Sequence, residues 1–286
     1  MPRVIAPSVK IIFCEGRPGS LDDLLLTNLI AVGQTLIVPV GGKHSIRAFI
    51  DGYLGNYPQI QPDYLGFCDR DFDVEPPAAP QLIRLSGEKP IWFCHRASVE
   101  NYLIDADLFR QYWAERENTP QWSYGPAPSI EEIERHILEA ACELVDYQAI
   151  RWGLAKLKPG SRWPEIRTSW TKYGSGDLPS SLDYNDCLAQ AHQLVESFQI
   201  QLQNVQSHRL EEYVKDYHKR FTNQDFLKNR EYLIWFHGKD HLAQLCQHLA
   251  PNFPRRHYAD WAAEHLDVSR HPDLQQLAKL AKGAKI

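Results

Sequence analysis

The sequence predicts an α/β fold: a mostly parallel sheet flanked by helices, followed by a mainly helical C-terminal region. Short apolar runs rich in β-branched residues alternate with stretches of helical period up to about residue 116, as a series of βαβ units requires. Beyond residue 128 the pattern becomes helical with few strand candidates. The first three strand candidates each run into an acidic or glycine-rich loop, and in parallel sheets the carboxyl ends of the strands are where ligands bind.

Residues 9 to 14 (VKIIFC) form a continuous apolar run suited to a strand buried on both faces. Glu15-Gly16 follows, and Ser20 precedes LDDLLLTNLIAV, with acids in the first turn of a helix. LIVPV at 36 to 40 is the second strand, Gly41-Gly42-Lys43 its exit loop, and HSIRAFIDGYL a helix ending near Gly55. YLGFC at 64 to 68 is the third strand and meets DRDFD. After a Pro/Ala-rich loop at 76 to 80, QLIRL reads as a short strand and IWFC at 91 to 94 as a firmer one, and a helix from Ser98 to Arg116 follows. The turn-rich segment NTPQWSYGPAPS, from about 118 to 128, marks the expected boundary between a domain of residues 1–120 and a helical one of residues 121–286. There, residues 130 to 150, 187 to 221 and 243 to 249 are amphipathic at helical spacing.

A net charge of -5 argues against a protein that coats DNA by bulk electrostatics. It is compatible with a nuclease, whose clustered carboxylates are neutralised by the metals they hold. No window approaches the roughly 18 apolar residues of a membrane span, so a soluble cytoplasmic protein is expected. The six cysteines lack zinc-site spacing, and Cys14, Cys68 and Cys94, each ending an apolar run, are expected to be small buried hydrophobes.

Three predicted strands deliver acids to one edge: Glu15, then Asp69 with Asp71, then Glu100 with Ser98 two residues before it. On an extended segment Asp69 and Asp71 would point the same way and could share a metal. Hard oxygen donors suit Mg2+ or Mn2+. The bland alternative is that DRDFD is a solvated turn.

CEGRPGSLDD and CDRDFD resemble the Glu-Gly and Asp-x-Asp motifs of the Toprim domain, and Ser98-Val99-Glu100 resembles the further metal motif of OLD-type nucleases. The run FCEG…SLDD…VPVGGK…DRDFD…H…SVENYL is most similar to the Toprim-like family that includes the AriB effector of the PARIS anti-phage system. The resemblance covers about the first 110 residues and implies a Toprim-like sheet carrying a two-metal phosphodiesterase site. On it, Glu15, Asp69 and Asp71 hold one ion, while Asp23, Ser98 and Glu100 complete the other. The loop after Glu15 is longer than in the compact form of the motif, so Asp22 and Asp23 both qualify. Asp23 is preferred, because Asp22 can serve the helix's first turn. Lys239, in WFHGKDHL, corresponds loosely to a downstream catalytic lysine that steadies the phosphate.

Lys43, after two glycines, can present a cation to a phosphate, although a plain turn is an equal reading. His95 can position substrate or simply enter the helix. In RWGLAKLKPGSRWPEIRTSWTKY, basic residues including Lys158 and Arg162 interleave with aromatics, a pattern of single-stranded nucleic-acid binding or of ordinary packing.

The expectation is therefore a Mg2+- or Mn2+-dependent endonuclease. The resemblance adds an anti-phage role and RNA such as tRNA among its substrates. No P-loop is present, so ATP-driven sensing would fall to a partner ATPase; a homodimer is allowed and no membrane is involved. The competing class is a non-catalytic metal-binding module that docks an ATPase or nucleic acid. A topoisomerase lacks its separate nucleophilic-tyrosine domain here, and a primase its zinc cysteines.

Overall fold

The computed structural model describes residues 10–30, 35–55, 63–158, 179–203 and 205–283. Its sheet contains β1 (Lys10–Cys14), β2 (Thr35–Pro39), β3 (Tyr64–Cys68), β4 (Ile83–Arg84) and β5 (Ile91–Phe93) in the order β2-β1-β3-β5-β4. All neighbours are parallel except the short edge strand β4, which runs antiparallel to β5. The expected α/β sheet flanked by helices is thus present.

β1 sits inside the sheet, and Ile11, Ile12, Phe13 and Cys14 are fully buried. This accounts for its unbroken apolar run: a strand covered on both faces has no polar alternation. Ile11 and Phe13 pack with Cys68, Ile91 and Phe93 against Ile46 and Ile50 of α2 (Ile46–Gly55). Gly66 of β3 makes this approach possible, since a Cβ there would lie 3.0 Å from Ile91 and 3.2 Å from Ile46. Helix α1 (Leu21–Leu29) starts after Ser20 as expected.

The helix expected from Ser98 to Arg116 is interrupted. Val99–Leu103 forms a 3-10 turn, and α3 (Ala106–Arg116) begins only after Asp105, whose carboxylate accepts from the Asp107 and Leu108 amides at 2.9 and 3.2 Å. An aspartate that satisfies two otherwise unpaired amides makes a new start more favourable than continuation.

Further along are α4 (Ile130–Leu157), α5 (Tyr184–Leu202), α6 (Ser207–Phe221), α7 (Gln224–Lys228), α8 (Tyr232–Trp235), α9 (Gly238–Leu249), α10 (Arg255–His265) and α11 (Pro272–Ala281). The region is mainly helical, as expected, but the compact units do not divide the chain at residue 120. One unit takes the described residues through Leu144 together with those from Gln224 on; the other is Val145–Asn223. The turn-rich stretch closes within the first unit, where Trp113 Nε1 and Trp122 Nε1 both donate to the Gly125 carbonyl at 3.0 Å. The last helices return to the sheet and the helix beside it: Asn28 Nδ2 of α1 donates to the Ala263 carbonyl at 2.9 Å, and the Leu82 amide, next to β4, to Gln276 Oε1 at 2.8 Å. Composition marks the turns at 118 to 128 but not this return.

The second unit is built on its own contacts. Trp152 lies against Tyr217 with ring centroids 5.4 Å apart, and Gly153 admits Val214, which a Cβ would approach to 2.6 Å.

Among the described residues no helix is long and apolar enough to cross a membrane. The cysteines are free, and Cys14, Cys68 and Cys94 are buried as expected.

Candidate active site

The C-terminal ends of β1, β3 and β5 gather the acids. At the first, Gly16 adopts φ +83°, and a Cβ there would come within 2.2 Å of Ser20 Oγ, so only glycine lets the start of α1 close over Glu15. The Glu15 carboxylate ties the sheet edge together. Oε1 accepts from the Lys43 amide at 2.9 Å and Oε2 from the Asp69 amide at 3.0 Å. One side chain thereby fixes the loops after β2 and β3, through charge-assisted bonds worth about 1.5–3 kcal/mol each.

Asp69 is buried, and its Oδ1 accepts from the Val99 amide at 2.9 Å. Asp71 has φ +50°, so the strand alternation that would align it with Asp69 has already ended. The two carboxylates have different partners. Asp71 pairs with Lys43 Nζ through Oδ2 and with His237 Nε2 through Oδ1 at 3.2 Å. Between them, fully buried Arg70 donates to the carbonyls of Ile234 at 2.6 Å, Val74 at 2.7 Å and His95 at 3.2 Å. Burial lowers this guanidinium to about 10, which still leaves it charged at neutral pH.

Asp22, not Asp23, faces the other acids. Asp23 Oδ2 accepts from the Gly19 amide at 2.8 Å and clasps the loop before α1. Asp22 is buried, with an Oδ1 that has no hydrogen-bond partner. The arrangement differs from the preference for Asp23: Ser20 occupies the N-cap position of α1 without a side-chain capping bond, and the first turn carries Asp22 toward Glu15 and Glu100.

Glu100 is also buried; its Oε2 lacks a partner, and its Oε1 lies 3.8 Å from Lys239 Nζ. Lys239, in the first turn of α9, thus reaches the cluster. Gly238 permits this approach, since a Cβ there would stand 2.6 Å from the Asn101 amide nitrogen. Ser98, expected beside Glu100 as a ligand, is instead the capping residue of the 3-10 turn. Its hydroxyl and amide bond Asn101 Oδ1 at 3.3 and 2.9 Å.

The remaining expectations separate. Lys43 is bound within the acid cluster, also reaching Asp73 at 2.8 Å, and is not a free phosphate ligand. The charged groups around His95 are Asp273, Arg70 and Arg96, not the site acids; burial lowers it to about 4 and keeps it neutral. Its amide donates to Asp273 Oδ2 at 3.0 Å, which ties β5 to α11. Lys158 lies beyond the end of α4 in the second unit, and Arg162 lies outside the described residues. His237 was not anticipated; the only signal was its place beside Gly238-Lys239.

The electrostatics are those of a site with surplus negative charge. Burial, then repulsion from Glu15 and Glu100, pushes Asp22 up to about 7. Burial and the surrounding acids raise Asp69 well above the carboxylate range, and burial raises Glu15 despite Lys43. Burial opposes ionisation of Asp71 as well, but His237 and Lys43 overcome it and hold this carboxyl low. Six acids (Glu15, Asp22, Asp69, Asp71, Asp73 and Glu100) are answered by two ammonium groups, Lys43 and Lys239, with His237 beside them. The donor set and its unpartnered oxygens fit a hard divalent cation. No three of these acids, however, offer oxygens that all lie within 4.8 Å of one another, a spacing that among the described residues His136, Glu139 and His248 do meet.

No protein-family model matches the chain, and no curated protein matches it either.

Proposed function

We propose that the chain is a Toprim-like, Mg2+- or Mn2+-dependent endonuclease. The observation that carries this reading is the buried excess of carboxylates at the ends of β1, β3 and β5, two of whose oxygens have no partner. Like charges are brought together out of water at considerable cost unless positive charge joins them. The likeness of CEGRPGSLDD and CDRDFD to Toprim motifs falls on these same positions.

Glu15, Asp22, Asp69, Asp71 and Glu100 would hold the metal, which would supply Lewis-acid polarisation of the phosphate and an activated water. Around it the chain's own groups have defined tasks. Glu15 fixes the loops that carry Lys43 and Asp69. His237 and Lys43 keep Asp71 ionised. Asp22 holds a proton near neutrality and releases it as positive charge enters the site. Lys239, the more exposed of the two ammonium groups, is placed to neutralise a substrate phosphate. Nucleic acid as substrate, RNA included, a partner ATPase and an anti-phage role extend this reading on the resemblance alone.

Purified chain incubated with labelled RNA and DNA should cut at least one of them with Mg2+ or Mn2+ and stop in EDTA. Asp69→Asn and Glu100→Gln should each lower the rate at least about 100-fold, the scale of a lost electrostatic contributor. Undiminished cutting by both variants refutes the assignment. A non-catalytic module is the second reading, favoured by Lys43, an internal cation already paired with Asp71 and Asp73. It predicts metal binding without turnover.

A further inference from the structure

Apart from the acid cluster, α4 and α9 bring two histidines and two glutamates together. His136, Glu139 and Glu143 recur at steps of three and four residues and therefore share a face of α4. His248 comes from the last turn of α9. Glu139 Oε2 lies 3.0 Å from His136 Nδ1 and 3.9 Å from His248 Nδ1, and ligand atoms of the three residues all fall within 4.8 Å of one another. Tetrahedral zinc, with bonds of about 2.0–2.1 Å, spaces its donors about 3.3 Å apart. The separations of 3.0 and 3.9 Å bracket that spacing.

The second observation concerns the other face of His248. Its Nε2 meets Glu143 Oε2 at 3.0 Å, and Gln244 donates its amide to that same oxygen. A carboxylate behind an imidazole selects the tautomer with Nε2 protonated, leaving the Nδ1 lone pair toward Glu139 and raising its basicity; metal-bound histidines are usually backed in this way. A surface ion pair needs no such arrangement.

We propose that His136, Glu139 and His248 bind a zinc-class divalent ion, with Glu143 as the residue that orients His248. Two imidazoles and one carboxylate favour zinc or its neighbours over magnesium, the reverse of the all-oxygen cluster at the strand ends. The ion would join α4 to α9, the helix whose first turn carries Lys239.

The test uses the full chain, stripped with EDTA and held in excess Mg2+ so that the hard-oxygen site is occupied. ZnCl2 is titrated by calorimetry, and CoCl2 by visible absorption. One zinc per chain is expected, with cobalt bands of a four-coordinate site. His248→Ala should weaken binding at least 100-fold, and Glu143→Gln, which leaves the ligands in place, 10- to 100-fold. Asp69→Asn should bind zinc as the wild type does. Circular dichroism establishes that each variant is folded. The proposal is overturned if the wild type takes up no zinc, if His248→Ala and His136→Ala bind it unchanged, or if zinc is lost with Asp69→Asn instead.

Discussion

Replacing Asp22 by asparagine tests the electrostatic reading of the acid cluster with little change of shape. Asp22 is pushed from an ordinary 3.8 up to about 7, first by burial and then by Glu15 and Glu100. Below pH 3.8 its carboxyl is protonated in both folded and unfolded chains. Between 3.8 and about 7 only the folded chain keeps the proton, so stability falls as pH rises through that window, at about 1.4 kcal/mol per pH unit. The whole interval amounts to about 4 kcal/mol, lost by pH 8. Asparagine has no proton to lose, so in EDTA the Asp22→Asn protein should be more stable than the wild type at pH 8, by up to about 4 kcal/mol, and nearly equal to it at pH 4. Urea unfolding followed by tryptophan fluorescence at several pH values reads this directly. Saturating Mg2+ should narrow the gap, since ligand at a hundred times its dissociation constant stabilises the wild type by about 2.7 kcal/mol and the variant has lost a donor. Parallel pH profiles for the two proteins in EDTA would refute the reasoning.

Two further perturbations address the scaffold. Arg70→Leu leaves the carbonyls of Ile234, Val74 and His95 without their donor and should cost at least about 3 kcal/mol, seen as a lower urea midpoint; an unchanged midpoint contradicts the assigned bonds. Gly238→Ala should raise helix propensity by about 1 kcal/mol yet lower the melting temperature, because its Cβ would meet the Asn101 amide at 2.6 Å and overpacking costs about 1–3 kcal/mol. A higher melting temperature would show that the contact relaxes freely.

The central strands and the acids after them were legible because fully buried parallel strands are written as unbroken apolar runs: β3 falls on 64 to 68 as expected, and β1 on 10 to 14 within the expected 9 to 14. Orientation was less legible. Asp22 and Asp23 are chemically identical neighbours, and only the φ of Gly16 and the clasp from Asp23 to Gly19 decide which turns inward. Ser98 is ambiguous in sequence because a capping serine and a metal-binding serine look alike until Asn101 is placed. Arg70 was hidden in an acidic string that reads as solvated, although it is the most deeply buried cation there. Nothing local reports that the last helices return to the sheet, since packing between distant segments leaves no periodicity in either.

That return has a consequence for the order in which the molecule can form. The loops bearing the acids are held by groups far ahead in the chain: Arg70 to the Ile234 carbonyl across 164 residues, Asn101 to the Phe236 carbonyl across 135, and His95 to Asp273 across 178. A nascent chain that has just reached Glu100 carries Glu15, Asp22, Asp69 and Asp71 as well, yet none of these anchors. At about 5–20 residues per second, translation needs roughly 7–27 s more to supply Phe236. For that interval the emerging polypeptide is an acid-bearing sheet fragment whose loops lack these distant anchors, and any activity begins only after Ile234, Phe236 and Asp273 have been added.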